Sequence, residues 1–481
     1  MVNPMYGNRN DLLNKNIGPL FLSLAVPAVL IGIVVGLYNI VDAMIVGQFV
    51  GPDAVAAVSL SYVLSLFNWA VAFFMGVGSM SLLSRSIGAK NWDVARRIPG
   101  NLVTFNLVCS LFLTVVTFLF SSQLLSLVGG TGNVLVLSER YIRILCLGYV
   151  FASNSMGLNF LLRGEGKMKE ALTIVFVSNG LNIALDYLMV GPLGMGVEGA
   201  AIATVASQAV FFAVMAIYYL SGKSSVGISG VGISRELLAP IGKVGVSAML
   251  LMVLMAFQQA TLLRLADGAQ NAAMLIVMSA AMRLFTFLPI FAKGVSEGMQ
   301  PALGVAYGAK DAARVRSIVK GFTVYGTMLI LVPYAIVMAF PSQILGLFIT
   351  DSAIVLQGYG MLRMFFSAYM LYVVIFNISY YYISIGKAKE SLVFVLVRQV
   401  ALFSIAAIVL PHLAGTDGIW YIVPVADVLS LLCGMALVGR DPLLGFLKIT
   451  CTAGKKDLQD SGIPLQAART FEVYEYNNVQ H

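Results

Sequence analysis

The chain has 481 residues, of which 59% are hydrophobic and only 11% charged, with a formal net charge of +8. Soluble chains carry about a quarter charged residues and do not scatter apolar runs of about 20 residues along their length. These proportions exclude an ordinary soluble domain. The runs are also too long, and alternate too little, for the strands of a membrane barrel. In a soluble protein the positive charge would point to nucleic acid; here membrane topology accounts for it, and no nucleic-acid partner is expected.

Taken in chain order, the apolar runs predict twelve spanning helices near 19–46, 54–82, 98–120, 134–160, 171–191, 199–220, 240–263, 272–299, 318–340, 354–382, 391–411 and 418–438. The first is too long for a signal-peptide core, and no small-residue cleavage site follows it, so it reads as a retained helix. Basic residues fall on alternate loops. Arg9 and Lys15 precede the first run. Arg85, Lys90, Arg96 and Arg97 follow the second, Arg163, Lys167 and Lys169 the fourth, and Lys223, Arg235 and Lys243 the sixth. The loops after the eighth, tenth and twelfth runs continue the pattern, while the opposite loops hold little beyond Arg140 and Arg264. The positive-inside rule then places both termini in the cytoplasm. Cys109, Cys146, Cys433 and Cys451 form no CxxC pair and suggest neither a disulfide framework nor a zinc site.

The chain repeats itself. "IGAKNWDVARRI" (87–98) matches "YGAKDAARVRSI" (307–318) at an offset of 220, and "RGEGKMKEAL" (163–172) matches "ISIGKAKESL" (383–392) at the same offset. "GVEGA" (196–200) echoes "GTDGI" (415–419) at 219. The expected organisation is an N-lobe over 1–220, a Gly/Ser-rich linker over 221–239, a C-lobe over 240–440 and a polar, solvated tail over 441–481. An even number of spans per half gives both halves the same sense in the membrane. A pseudo-two-fold along the membrane normal follows, with a cavity between lobes that rock against each other.

Four acids interrupt apolar runs: Asp42, Asp186, Glu297 and Asp427. A charge at mid-bilayer costs at least about 2.5–3.5 kcal/mol, so each is a functional candidate. Asp42 lies four residues after Tyr38, on the same helical face, and three after Asn39. Asn179, Asn182 and Asp186 are spaced to share one face of the fifth run, and Thr204, Ser207 and Gln208 one face of the sixth. If those runs are neighbours they form an oxygen-lined pocket with two carboxylates. Two close carboxylates require either a shared proton or a cation. A hard cation such as Na⁺ suits oxygen ligands. The alternative is that both acids only hydrogen-bond helices together. Glu297 lies beside Lys293, and Asp427 within reach of Arg398, so structural ion pairs are the simpler reading for these two. Arg283, Lys293, Arg363 and Arg398 could line a cavity and attract anions, or snorkel or pair with acids.

No enzyme signature is present: there is no HExxH, no Walker lysine and no Ser-His-Asp order. With no ATPase motif, an ion gradient is the natural energy source. The set of "PAVLIG" at Pro27, "DAMIVGQFVG", the two Gly-Ala-Lys loops, "LRGEGKMKEAL" and "NIALDYLMVGPLGMGVEGAAIAT" resembles the multidrug and toxic compound extrusion (MATE) transporters over nearly the whole chain up to about 440. The resemblance implies an all-α polytopic fold, with twelve spans in two pseudo-symmetric six-helix bundles. It implies no enzymatic activity and no cofactor, but export of amphipathic, mostly cationic drugs in exchange for Na⁺ or H⁺. It also implies a monomer in a bacterial cytoplasmic (inner) membrane. One branch of the family has an N-lobe cation site whose positions correspond here to Asp42, Asn182, Asp186 and Thr204. Tyr38, Asn39, Asn179 and Gln208 are then candidates for the substrate cavity, and Pro27 matches a helix-one proline whose kink is proposed to accompany protonation or ion exchange. The NorM-type branch carries acids in helices seven and ten. Here Gln258, Gln259 and Arg363 stand there instead, which resembles the DinF/MepA-like branch. The alternative function is a flippase of a lipid-linked saccharide or another amphipathic anion.

Overall fold

The computed structural model describes residues 4–228, 232–269 and 271–444. Every regular element among them is helical. The expected polar tail lies outside the described residues from 445 onward. After a short helix at Pro4–Asn14 come span 1 (Ile17–Phe49), span 2 (Pro52–Gly88), span 3 (Trp92–Leu119), span 4 (Gly132–Leu145 and Tyr149–Gly164), span 5 (Met168–Val190) and span 6 (Gly196–Leu220). The second half supplies span 7 (Arg235–Gly268), span 8 (Ala272–Gly308), span 9 (Ala312–Ala339), span 10 (Ser352–Ile385), span 11 (388–414) and span 12 (Gly418–Gly439).

Ten helical stretches among the described residues are long and apolar enough to cross a membrane. Two features raise the crossings to twelve. Span 4 is two shorter helices joined by a 3-10 turn at Cys146–Gly148. The stretch Ala388–Gly439 reverses at Gly415, whose φ of +60 suits a residue without a Cβ, so spans 11 and 12 pack antiparallel.

Spans 2 and 7 are longer than the hydropathy runs that predict them. Span 2 extends to Gly88 and contains Arg85, and span 7 starts at Arg235 and contains Lys243. The expected linker is therefore shorter at its far end. Apolar content marks the part of a helix inside the bilayer, whereas backbone hydrogen bonding carries the helix on past it.

The Gly-Ala-Lys repeat is one local structure used twice. Lys90 and Lys310 both turn left-handed at φ 59. The next residue caps the following helix: Asn91 Oδ1 accepts from the Val94 amide at 3.3 Å, and Asp311 Oδ1 from the Arg314 amide at 2.8 Å.

The halves close on each other on the side of the termini. Span 1 packs on span 8 and span 2 on span 7. Glycines permit this approach: Gly88 lies against the Val305 backbone and Gly308 against the Arg85 backbone. These four positions interchange under the 220-residue offset, as a pseudo-two-fold requires. Ser81 Oγ donates to the Ser384 carbonyl at 3.4 Å, and Gln300 Nε2 to the Val77 carbonyl at 3.5 Å. Towards the other side, span 1 still meets span 8 at Gly36, beside Ile290 and Phe287. Beyond that it packs within its own half, with Gly47 on Val55 and Phe49 on Tyr187.

Candidate functional site: a carboxylate pair in the first half

Span 5 packs against both span 1 and span 6. Its inward face carries Ser178, Asn182 and Asp186, spaced one turn apart and all buried. Asp186 has no exposed surface, and Asp42 of span 1 is 8% exposed. Their carboxyl groups face one another. Asn182 Nδ2 donates to Ser207 Oγ at 3.1 Å and approaches Thr204 Oγ1 at 3.5 Å, which ties span 5 to span 6. The Tyr38 and Tyr141 hydroxyls also face Thr204. The structure thus brings Asp42, Asn182, Asp186, Thr204 and Tyr38 together.

The hydrogen-bond pattern at this cluster is incomplete. Neither carboxyl oxygen of Asp186 has a hydrogen-bond partner, nor do Asp42 Oδ1 and Asn182 Oδ1, although all are buried. Buried polar atoms are normally paired, and an ionised carboxylate in apolar surroundings is costly unless compensated. The amide of Asn182 spends its donor on span 6, and its oxygen is left buried without a partner. The result is a set of acceptor oxygens with no donor assigned to them. Chemically, that set suits a proton shared between the acids or a small hard cation held among them.

The remaining candidates fall outside this cluster. Asn179 Nδ2 and Gln208 Oε1 are buried without partners on the same two helices, and Gln208 presses against Gly148 at the break in span 4. Asn39 is exposed and donates to the Val35 carbonyl of its own helix at 2.8 Å. Pro27 is buried inside an unbroken span 1. It stands fifteen residues before Asp42, roughly 22 Å along the axis.

The other membrane acids are paired. Asp427 accepts from Arg398 at 2.9 Å. Glu297 pairs with Lys293 at 3.6 Å, and more closely with Arg163 at 3.0 Å. Arg163, grouped by sequence with the loop basics, is 1% exposed and helical, because its charge is answered inside the protein. Arg283 lies over the Phe348 ring, and Arg363 donates to the Met338 carbonyl at 2.8 Å. Sequence reasoning missed Tyr141 and Arg163. A tyrosine in an amphipathic run carries no distinguishing signal, and an arginine at a span end looks like any topology marker.

Comparison with known proteins agrees with the repeated all-helical fold. The MatE family model matches twice, over 27–188 and 247–408, so the second match repeats the first at an offset of 220. "Probable multidrug resistance protein YoeA" of Bacillus subtilis (strain 168) is 27% identical over 364 residues, 72% of this chain and 77% of its own. "Multidrug export protein MepA" of Staphylococcus aureus (strain NCTC 8325 / PS 47) is 23% identical over 404 residues, 84% of this chain and 89% of its own. A solved MOP superfamily transporter from Pyrococcus furiosus, described as having reverse polarity of its binding pocket, superposes with a TM-score of 0.81 at 26% identity, covering 91% of this chain and 98% of that one. With the family model covering more than half of its length in two copies, the chain belongs to the MatE family of membrane transporters.

Proposed function

We propose that this protein is a secondary active antiporter that exports amphipathic, mostly cationic drugs in exchange for Na⁺ or H⁺. Asp42, Asn182, Asp186 and Thr204 form its ion site. The observation that carries the reading is the carboxylate pair of which three oxygens, Asp42 Oδ1 and both of Asp186, are buried without a hydrogen-bond partner. Such a pair takes up a cation or a proton in one access state and releases it in the other, provided the ion binds the two states differently. The names given to the relatives from Bacillus subtilis and Staphylococcus aureus support drug export. The bacterial relatives support a bacterial inner-membrane location, and the alternating basic loops support cytoplasmic termini, which makes the closed side of the interface the cytoplasmic one. The protein acts as a monomer: each half supplies the other's partner surface, and the ion site lies within one half.

The experiment is efflux of a fluorescent organic cation from vesicles, with Na⁺ and pH gradients applied separately, for wild type and Asp42→Asn. Efflux under one gradient, lost in Asp42→Asn, is the expected result. Transport by Asp42→Asn at the wild-type rate would sink the ion-site assignment.

The flippase reading draws on the reverse-polarity pocket described for the Pyrococcus furiosus transporter. In this chain Asp427 neutralises Arg398, and Glu297 is shared between Arg163 and Lys293. The first-half acids have no basic partner and the relatives are named for drug export, so drug export is the better supported reading.

A further inference from the structure

The second half has its own buried charged site, and a side chain fills it. Arg398 and Asp427 join spans 11 and 12 in the middle of the bundle, with side chains 8% and 5% exposed. The guanidinium carbon stands 5.5 Å from the Tyr372 ring centroid and 5.3 Å from that of Phe376. A carboxylate with two aromatic faces around one cation is the chemistry that recognises guanidinium and quaternary ammonium ions.

The pairing is a poor structural clamp. Nε and Nη2 both donate to the same oxygen, Asp427 Oδ1, at 3.1 and 2.9 Å. Arginine and carboxylate usually meet as two parallel hydrogen bonds to two oxygens. Here Asp427 Oδ2 is left buried without a partner. The helix is also disturbed at this place: Val397–Leu402 is a π-turn, a distortion that recurs at binding sites. Beside the arginine, Gln399 has no exposed surface, and neither atom of its amide has a partner.

The internal repeat shows what has been exchanged. Shifted by 220, Asp42 and Asp186 fall on Leu262 and Ala406, so the second half lacks the facing acids. Its acid sits instead on span 12, opposite the position of Ser178, which is occupied by Arg398. The first half has acids and no cation at this seam; the second has one acid and supplies a cation covalently.

We propose that the Asp427–Tyr372–Phe376 cage is a binding site for a guanidinium-like organic cation that the chain keeps filled with its own Arg398. The second half then takes up no external cation. Resting on the proposed function, the exchange stoichiometry follows from the first-half acids alone.

The test uses the full chain in detergent micelles, carrying Asp42→Asn and Asp186→Asn so that the first-half acids do not contribute. In that background three forms are compared: Arg398 intact, Arg398→Ala, and Arg398→Ala with Asp427→Asn. Melting temperature is followed against methylguanidinium, tetramethylammonium and Na⁺. The expected result is a saturable rise for Arg398→Ala only, largest with methylguanidinium, recovering most of the stability lost on substitution. An equal response in all three forms, or none in Arg398→Ala, overturns the proposal. So does failure to recover folded Arg398→Ala from membranes solubilised with methylguanidinium, whether or not the double substitution folds, because a free cation then cannot stand in for the side chain. Comparing the wild type with the Asp42→Asn/Asp186→Asn background under Na⁺ and pH variation tests the first-half ion site separately. A negative answer there leaves the result for the cage intact.

Discussion

Arg163 of span 4 and Glu297 of span 8 meet across the two halves of the molecule, Nη1 to Oε2 at 3.0 Å, with side chains only 2% and 10% exposed. The contact is held from both sides. Arg163 Nε donates to Asn159 Oδ1 at 2.9 Å, and the Tyr380 hydroxyl donates to Glu297 Oε1 at 3.3 Å. The pair stands on the closed side, where the halves must separate if access alternates. Its rupture frees two charges into water, and its reformation needs both to be stripped of water again.

Glu297→Gln leaves the Arg163 guanidinium buried opposite a neutral amide. Removing one partner of a buried pair costs about 3–5 kcal/mol. If the pair is made only with the terminal side closed, the cost falls on that state and shifts the population towards the opposite one. The readout is alkylation of Ser84→Cys, a buried position against Gly304 on the same interface. It should be labelled faster in Glu297→Gln, and the exchange Arg163→Glu/Glu297→Arg should slow labelling part of the way back. Unchanged labelling in Glu297→Gln would show that the pair does not distinguish the two states.

Gly88 and Gly308 have no room for a Cβ in this state, since each would meet a carbonyl of the other half: Val305 for Gly88 and Arg85 for Gly308. Backbone cannot yield as a flexible side chain can. Gly88→Ala and Gly308→Ala should therefore each disfavour closure on the terminal side, and by similar amounts, because the contacts are related by the repeat. Initial efflux rates of the two variants, at matched protein levels, should fall together. A fall in one alone would mean that the halves do not close symmetrically.

Glu165 fastens the segment that leaves the first half. Its carboxylate accepts from Ser224 Oγ at 2.7 Å and from the Ser225 amide at 2.8 Å, and its neighbour Lys167 lies 3.2 Å away. The second half does the same with Lys387 and Asp441, at 2.6 Å. Glu165→Ala should release residues 221–228, and limited proteolysis should cut there faster than in wild type, with the spans left intact. Equal cleavage rates would mean that the segment is held by other contacts.

These contacts also mark what could be read from the amino-acid sequence. Hydropathy and the alternating basic loops convey the spans because a bilayer imposes a length and a charge bias that any window of residues displays. The 220-residue repeat is legible for the same reason as the Lys90 and Lys310 turns: a local structure needs the same residues wherever it recurs. Asp42, Asn182 and Asp186 stand out because polar residues in an apolar run are conspicuous and helical spacing gives their shared face. Arg163 does not stand out, since its partner is 134 positions away, and only the packing of span 4 on span 8 makes it a buried charge. The second partner of Glu297 is hidden by the first: Lys293 lies one turn away and satisfies the local pattern, while the closer contact comes from the other half.

Thr204 separates the two coupling ions. A Na⁺ ion needs a shell of oxygens, and the Thr204 hydroxyl stands beside Asn182 at the edge of the carboxylate pair. A proton needs only the carboxylates. Thr204→Val keeps the shape of the side chain and removes the oxygen, so it acts on one ion and not on the other. If the coupling ion is Na⁺, losing one ligand worth about 1.4 kcal/mol raises the half-saturating Na⁺ concentration about tenfold at an unchanged maximal rate. If the ion is H⁺, the pH dependence of efflux stays where it was, and Na⁺ has no effect in either form. Asp186→Asn abolishes gradient-driven efflux in both cases, because neither ion is retained without the second acid. Initial efflux rates measured against Na⁺ at fixed pH, and against pH without Na⁺, distinguish the outcomes. Gradient-driven efflux that survives Asp186→Asn would remove this seam from the coupling mechanism.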